Sequence, residues 1–202
     1  MQQCLFSNNS PQSLPLADAK VQYLANWLDN KSADSLFELF QRELDWSEGL
    51  IKIFGKTVKI PRLQAWYGDT GTDYEYSGVT MTPLPWQDDL HKLKVKCERQ
   101  CGSSFNSVLA NFYRYGQDSM GMHSDNEPEL GPEPIIASVS LGEVRNFDFK
   151  HKVNGEKFRL PLEHGSLLIM SGETQKYWQH GIAKTKKQIA PRLNFTFRKI
   201  IA

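Results

Sequence analysis

The second half of the sequence, beyond Ser104, is a series of short β-prone runs separated by turn residues, and this pattern limits the fold more than any other feature. Because few helical patterns lie between these runs, they favour an antiparallel sandwich or barrel over a parallel α/β sheet. The last run alternates strictly, with Leu193, Phe195 and Phe197 on one face and polar side chains on the other. The predicted strands cover residues 108–115, 135–141, 147–151, 157–162, 166–170 and 192–201.

The first hundred residues have a different pattern, in which apolar side chains recur at helical spacing. This spacing predicts helices over residues 17–29, from Ser32 or Asp34 to Trp46, and over 86–100, after a polar arm at 1–16. The expected fold class is therefore α+β with a mainly β core and supporting N-terminal helices. A chain of 202 residues with 40% hydrophobic residues is enough for one domain.

Composition narrows the class of protein further. No apolar run approaches the roughly 20 residues of a membrane helix, and no secretory signal is visible at the start, so we expect no membrane partner. Three cysteines are too few for a disulfide scaffold and fit a reducing compartment, the cytoplasm or a eukaryotic nucleus. Cys97 and Cys101 lie one helical turn apart and are expected to pack rather than to bind zinc.

The formal net charge of +1 hides an uneven distribution. Residues 1–50 carry −4, residues 51–173 carry −2 and residues 174–202 carry +7. Such asymmetry can place a basic surface on a nearly neutral protein.

The motif His123-Ser124-Asp125 carries the clearest chemical signal. In an extended segment, residues i and i+2 point to the same side, so the imidazole and the carboxylate can reach one point. Two histidines and a carboxylate form the facial triad of non-haem Fe(II) sites, and His180 is the best candidate for the third ligand. A solvated surface pair is the alternative, because a His-x-Asp motif also occurs by chance.

The polar face of the last strand adds to this signal. Arg192 and Arg198 frame Asn194 and Thr196, and guanidinium groups bind carboxylates bidentately. The alternative is a solvated strand face. A second predicted strand places Asn111 and Tyr113 on one face; with the metal ligands, the two polar faces indicate an Fe(II) site that binds a 2-oxo acid.

Residues 51–60 predict a β-hairpin that turns at Gly55-Lys56, with Phe54 at its tip. Residues 49–68 contain four basic side chains and no acidic one. An apolar residue flanked by lysines can enter a base stack while the lysines contact phosphates. An ordinary edge hairpin whose lysines prevent aggregation is the alternative.

The ordered set of motifs resembles the AlkB family of alkylation-repair dioxygenases, and most closely its duplex-DNA repair branch. The resemblance runs from about residue 50 to the end of the chain. It rests on Asn111-Phe112-Tyr113, His123-x-Asp125, His180 and Arg192-x-Asn194-x-Thr196-x-Arg198.

The resemblance implies a double-stranded β-helix, or jelly roll, in a single AlkB-like domain over 1–202. Its parts would be a helical region at 1–48, a nucleotide-recognition region at 49–104 and a catalytic core at 105–202. Fe(II) would be held by His123, Asp125 and His180. The residues implied for 2-oxoglutarate are Asn111, Tyr113, Arg192, Asn194, Thr196 and Arg198, with Tyr113 and Arg192 at its distal carboxylate and Asn111 and Arg198 nearer the iron.

The implied reaction oxidises an N-methyl group on a nucleic-acid base with O2 and releases succinate, CO2 and formaldehyde. The implied partner is alkylated DNA, single- or double-stranded, acted on by a monomer. RNA is the alternative substrate, and a jelly-roll binding module without catalysis is the alternative of another class. The residues expected to contact the nucleic acid are Phe54, Gly55, Lys56, Trp66, Tyr74, Tyr76 and, directly after the metal ligand, Asn126 or Glu127.

Overall fold

The computed structural model describes residues 10–53, 56–76 and 79–201. Their strands form a large sheet, in the order β1-β2-β12-β9-β14-β7-β4-β3, a smaller sheet, β11-β10-β13-β8, and a two-stranded ribbon, β5-β6; all of the strand pairings are antiparallel. The helices are α1 (Asn30–Glu43), α2 (Asp88–Cys101) and the short α3 (Thr174–Tyr177). The strands are β1 (Gln12–Ser13), β2 (Lys20–Leu24), β3 (Ser47–Ile53), β4 (Lys56–Gly68), β5 (Tyr74–Tyr76), β6 (Val79–Met81), β7 (Ser107–Tyr113), β8 (Met120–His123), β9 (Ile136–Gly142), β10 (Arg145–His151), β11 (Lys157–Leu162), β12 (Ser166–Ser171), β13 (Trp178–Ile182) and β14 (Arg192–Arg198).

The two main sheets share a buried cluster that includes Phe149 from β10 and Leu168 from β12, so they pack face to face. This arrangement confirms the predicted mainly β, jelly-roll architecture. All six predicted strands are present, with shifts of up to three residues at their ends. Among the strands that were not predicted, β8 and β13 carry His123 and His180; both are short and contain glycine.

The predicted helix over residues 17–29 is wrong. Residues 20–24 form strand β2, which pairs with β12 at the edge region of the large sheet. The side chains of Val21 and Tyr23 are buried, and that of Gln22 between them is exposed, so this segment has the period of a strand and not that of a helix. The first helix instead begins after Asp29, whose carboxylate accepts a hydrogen bond of 2.9 Å from the main-chain N–H of Ser32.

Strand β14 lies near the middle of the large sheet and is buried on both faces. On one face, Phe195 packs against Phe40 of α1, with 4.9 Å between ring centroids. The other face carries the four polar side chains, among them Arg192 and Arg198, toward the smaller sheet. The alternation therefore separates a helix-covered core from a buried polar interior, and it does not mark a solvated face.

The hairpin formed by β3 and β4 is longer than predicted. Ile53 pairs with Lys56, so Lys56 belongs to a strand rather than to the turn. Phe54 and Gly55 lie outside the described residues. Strand β4 continues to Gly68 and pairs with β7, so it connects the hairpin directly to the strand that carries Asn111 and Tyr113.

Cys97, Cys101 and His151 lie fully or partly inside the fold. The free thiols of Cys97 and Cys101 lie on α2, the first buried and the second half-buried, which confirms a packing role. Burial raises the pKa of both thiols, that of Cys101 to about 12. His151, at the end of β10, is buried, with its ring 5.0 Å from that of Trp178. No helix in the described ranges is long and apolar enough to cross a membrane.

Candidate metal and co-substrate site

The structure brings His123, Asp125 and His180 together, and their ligand atoms all lie within 4.8 Å of one another. Nε2 of His123 is 3.7 Å from one carboxylate oxygen of Asp125, and Nε2 of His180 is 3.6 Å from the other. Oδ2 of Asp125 is buried and accepts no hydrogen bond from the described residues. The two oxygens of this buried carboxylate each face one imidazole nitrogen, and this arrangement fits a divalent transition metal.

Strand pairing positions these three side chains. His123 of β8 lies directly opposite His180 of β13, which places the two rings 4.4 Å apart. Asp125 follows β8, and its main-chain N–H donates a 2.9 Å hydrogen bond to Oε1 of the buried Gln175. The hydroxyl of Ser124 donates to the carbonyl oxygen of Trp178, which fixes the segment between the two ligands.

A main-chain group orients the first histidine. Nδ1 of His123 lies 2.9 Å from the carbonyl oxygen of Gly121. A carbonyl only accepts, so this contact assigns the proton to Nδ1 and leaves the lone pair of Nε2 directed toward Asp125 and His180. This tautomer is the one that binds a metal through Nε2.

The site favours the ligand forms of its side chains. Burial alone would raise the pKa of Asp125, but the positive charge of Arg198, 2.8 Å away, together with the two histidines lowers it to about 2. Burial and the neighbouring His123 lower the pKa of His180 to about 3. At neutral pH the carboxylate is therefore ionised and the imidazole of His180 is neutral, as metal binding requires.

We expect the metal-free protein to lose stability as the pH falls below about 6.5. Between that pH and about pH 3 the unfolded state binds a proton at residue 180 that the folded state does not, so lower pH favours unfolding, by up to about 1.4 kcal/mol per pH unit. Urea unfolding with a chelator present, at several pH values from neutral to about pH 5, measures this slope. His180→Gln should flatten the dependence of stability on pH, whereas His91→Gln, at an exposed position on α2, should not. Equal slopes in the wild type and both variants would contradict the lowered pKa of His180.

Next to the metal-ligand set lies a cavity lined by the polar faces of β7 and β14. Asn111 and Asn194 are direct partners across these two strands, as are Tyr113 and Arg192. Asn194 donates to the hydroxyl of Ser138 and the carbonyl of Val139. The cavity is lined by Asn111, Tyr113, Met120, His123, Asp125, Ser138, Phe147, Met170, His180, Ile182, Asn194, Thr196 and Arg198.

Arg192 lies beside this cavity and is nearly inaccessible to solvent. One of its nitrogens donates to the hydroxyl of Ser140, at 2.9 Å, but Nε and Nη1 have no hydrogen-bond partner among the described residues. Burial lowers its pKa to about 10, so it keeps its charge at neutral pH. A buried guanidinium with free donors beside a polar cavity fits the distal carboxylate of a dicarboxylic acid.

Several residues of this polar interior could not be identified from the sequence. Arg62 and Gln64 of β4 are buried, and both donate to Oδ1 of Asn111, at 2.7 and 3.3 Å. Their period-two spacing was visible in the sequence, but it did not show that β4 would lie next to β7. Gln175 and Arg145 could not be identified from the sequence for the same reason, since their hydrogen-bond partners are distant in the chain.

On the nucleic-acid side, the structure distinguishes some candidates and leaves others undescribed. Asn126 is exposed, whereas Glu127 is half-buried and its Oε2 has no hydrogen-bond partner in the described chain. Trp66 is buried in a cluster with Leu109, and its indole N–H donates to the carbonyl of Thr72, so it holds a core position instead of an open stacking position. The side chains of Lys56, Tyr74 and Tyr76 are outside the described part of the structure, like Phe54 and Gly55.

Comparison with known proteins agrees with this geometry. Residues 20–198 match the model of the 2OG-Fe(II) oxygenase superfamily. The chain is 42% identical over 180 residues to the human DNA oxidative demethylase ALKBH2, covering 84% of this chain and 69% of that protein. It is also 42% identical over 196 residues to the bovine alpha-ketoglutarate-dependent dioxygenase alkB homolog 3, covering 92% of this chain and 68% of that protein.

A solved structure of OsALKBH1 superposes with a TM-score of 0.68 at 18% identity, covering 94% of this chain and 100% of that one. At this identity the superposition supports the fold, while the two sequence relatives and the superfamily model establish the family. The chain is an Fe(II)- and 2-oxoglutarate-dependent dioxygenase of the AlkB family.

Proposed function

We propose that this dioxygenase removes N-alkyl groups from bases in DNA. The observation that carries the proposal is a single buried cavity that joins three metal-binding side chains to the polar faces of β7 and β14. The names of relatives with about 40% identity, among them a DNA oxidative demethylase, supply the substrate class.

In this proposal His123, Asp125 and His180 bind Fe(II), and Arg192 and Tyr113 bind the distal carboxylate of 2-oxoglutarate. Asn111 and Arg198 would lie nearer the metal, with Asn194 and Thr196 completing the polar wall. With Fe(II) bound, O2 and 2-oxoglutarate supply the oxidation of the N-methyl group, which is released as formaldehyde with succinate and CO2. The protein holds the co-substrate in a fixed orientation and keeps water out of a buried site.

The base-binding side is proposed from position and charge. A base must leave the helix stack before an enzyme can act on it, and it is then read by stacking and by hydrogen bonds to its edge. We propose Tyr74 and Tyr76 for stacking, and Glu127 rather than Asn126 for the edge contact, because a buried oxygen of Glu127, two residues from Asp125, has no hydrogen-bond partner in the part of the chain that the structure describes.

The direct test measures succinate and formaldehyde released from a methylated oligonucleotide with Fe(II), 2-oxoglutarate and O2. We expect equimolar release that depends on the methyl group, with methylated single-stranded DNA, duplex DNA and RNA compared at equal concentration. His91→Ala is the matched control for His123→Ala and should keep the wild-type rate. Faster release of succinate and formaldehyde from methylated RNA than from either form of DNA would make RNA the substrate in place of DNA. Full activity of His123→Ala would refute the assignment of His123 as a metal ligand.

A second prediction concerns the β3–β4 hairpin, whose strands the structure confirms up to Ile53 and Lys56. We expect Phe54→Ala to lower the rate on methylated duplex DNA by roughly tenfold and to leave the single-strand rate within about twofold, because an apolar wedge matters only where a base stack must be opened. Initial rates on the two substrates measure this ratio. Val58→Ala, farther along the same hairpin, serves as the control. Equal losses on both substrates would count against the proposed role.

We further propose that the chain works as a monomer and as one catalytic domain, in the cytoplasm or a eukaryotic nucleus. Strands from each of the three predicted regions join the large sheet, which supports one domain over a separate N-terminal part. Size-exclusion chromatography with light scattering tests the oligomeric state.

A further inference from the structure

Another buried arginine, Arg145, lies near Tyr113, a residue of the cavity wall, and comes from the opposite sheet. It lies at the start of β10 in the smaller sheet, whereas Tyr113 and Arg192 belong to the large sheet. Only 4% of Arg145 is exposed. The function proposed above does not use this residue.

Within the described ranges, the hydrogen bonds of Arg145 go to main-chain oxygens and none goes to a carboxylate. Nη2 donates to two main-chain oxygens, those of Asp118 at 3.0 Å and Ala183 at 2.8 Å. The carboxylate of Asp118 is occupied by Arg114, which donates to it from Nε, Nη2 and the main chain. Nη1 of Arg145 is buried and has no hydrogen-bond partner among the residues described.

Arg145 and Arg192 meet at one aromatic ring. The guanidinium carbon of Arg145 is 5.7 Å from the ring centroid of Tyr113, and that of Arg192 is 5.2 Å from it. Tyr113 itself lines the cavity that contains His123 and Asp125. Two buried cations on one ring repel each other and cost free energy unless an anion compensates them.

We propose that Arg145 is a positioning residue for the co-substrate: together with Arg192 it packs against the ring of Tyr113 and adds positive charge where the distal carboxylate binds. The site thereby selects a 2-oxo acid with a second carboxylate over one without it. This inference rests on the proposed 2-oxoglutarate site. A merely structural arginine, which ties the chain near residues 118 and 183 to β10, is the competing explanation.

The experiment compares Arg145→Met, Arg145→Lys and the wild type, with Arg159→Met as the control. Arg159 lies on the neighbouring strand β11, where it is exposed and pairs with Asp148. We expect Arg145→Met to raise KM for 2-oxoglutarate about tenfold while kcat at saturation stays within about twofold, because a charge-assisted contact outside the reacting centre is lost. Arg145→Lys should recover about half of this effect on a logarithmic scale, and Arg159→Met should match the wild type.

A binding measurement without turnover makes the test independent of activity. Calorimetric titration of the Mn(II)-loaded protein, without O2 or DNA, should show the same roughly tenfold loss for 2-oxoglutarate and no change for 2-oxopentanoate, which has the same chain length but lacks the distal carboxylate. Unchanged affinity of Arg145→Met for 2-oxoglutarate overturns the inference. A lower melting temperature and lower kcat at unchanged KM also overturn it, in favour of a structural role. If the wild type itself binds no 2-oxoglutarate, the proposed function fails and this inference fails with it.

Discussion

Asp125→Asn should lower the rate of succinate release by roughly 100-fold or more, since even changes outside the direct ligands of a metal cost 10- to 100-fold. The asparagine keeps the shape of the side chain but replaces the anionic carboxylate, whose two oxygens face His123 and His180 at 3.7 and 3.6 Å, with a neutral amide. The change also removes the anion that pairs with Arg198 at 2.8 Å. Initial rates at saturating Fe(II) and 2-oxoglutarate measure the effect, and calorimetric titration with Mn(II) reports metal affinity separately.

Asp148→Asn is the control for this substitution. Asp148 lies on β10 in the same sheet and pairs with the exposed Arg159, and exposed ion pairs contribute little. Its rate and metal affinity should stay within about twofold of the wild type. If Asp125→Asn keeps half of the wild-type rate, or binds Mn(II) as tightly as the wild type, Asp125 is not a metal ligand.

Arg192→Met should raise KM for 2-oxoglutarate by roughly 100-fold, because truncating one partner of a buried charged pair typically costs about 2–5 kcal/mol. Methionine fills much of the same volume, so the effect reports the lost charge and donors rather than a cavity. The two nitrogens without hydrogen-bond partners are the donors that the co-substrate would use. Steady-state kinetics over a wide range of 2-oxoglutarate concentration separate KM from kcat.

Two further variants support the interpretation of Arg192→Met. Arg192→Lys keeps the charge without the planar pair of donors, so it should recover only part of the affinity. Arg42→Met, at an exposed position on α1, should leave KM unchanged. An unchanged KM in Arg192→Met would mean that the distal carboxylate binds elsewhere. A lower kcat at constant KM would indicate a folding defect.

The sequence allowed a large part of the fold to be predicted. Strand alternation is local, so the run from Arg192 to Arg198 could be assigned without tertiary information, and α2 followed from its apolar spacing. Residues 17–29 show where this method fails. Both a period of two and a helical period fit the same apolar residues, and pairing with β12 decided in favour of the strand.

The sequence by itself determined the chemistry of the site: two histidines and a carboxylate, two arginines on an alternating strand, and a basic hairpin. Residue types and their spacing carry this information because they set which atoms can bind a metal or a carboxylate. Only the tertiary structure decided which side chains meet, since the pairing of β8 with β13 brings His123 to His180, 57 positions away, and the pairing of β4 with β7 brings Gln64 to Asn111, 47 positions away. The buried contacts of Arg62, Gln64, Gln175 and Arg145 depend on those pairings, and no local pattern in the chain specifies them.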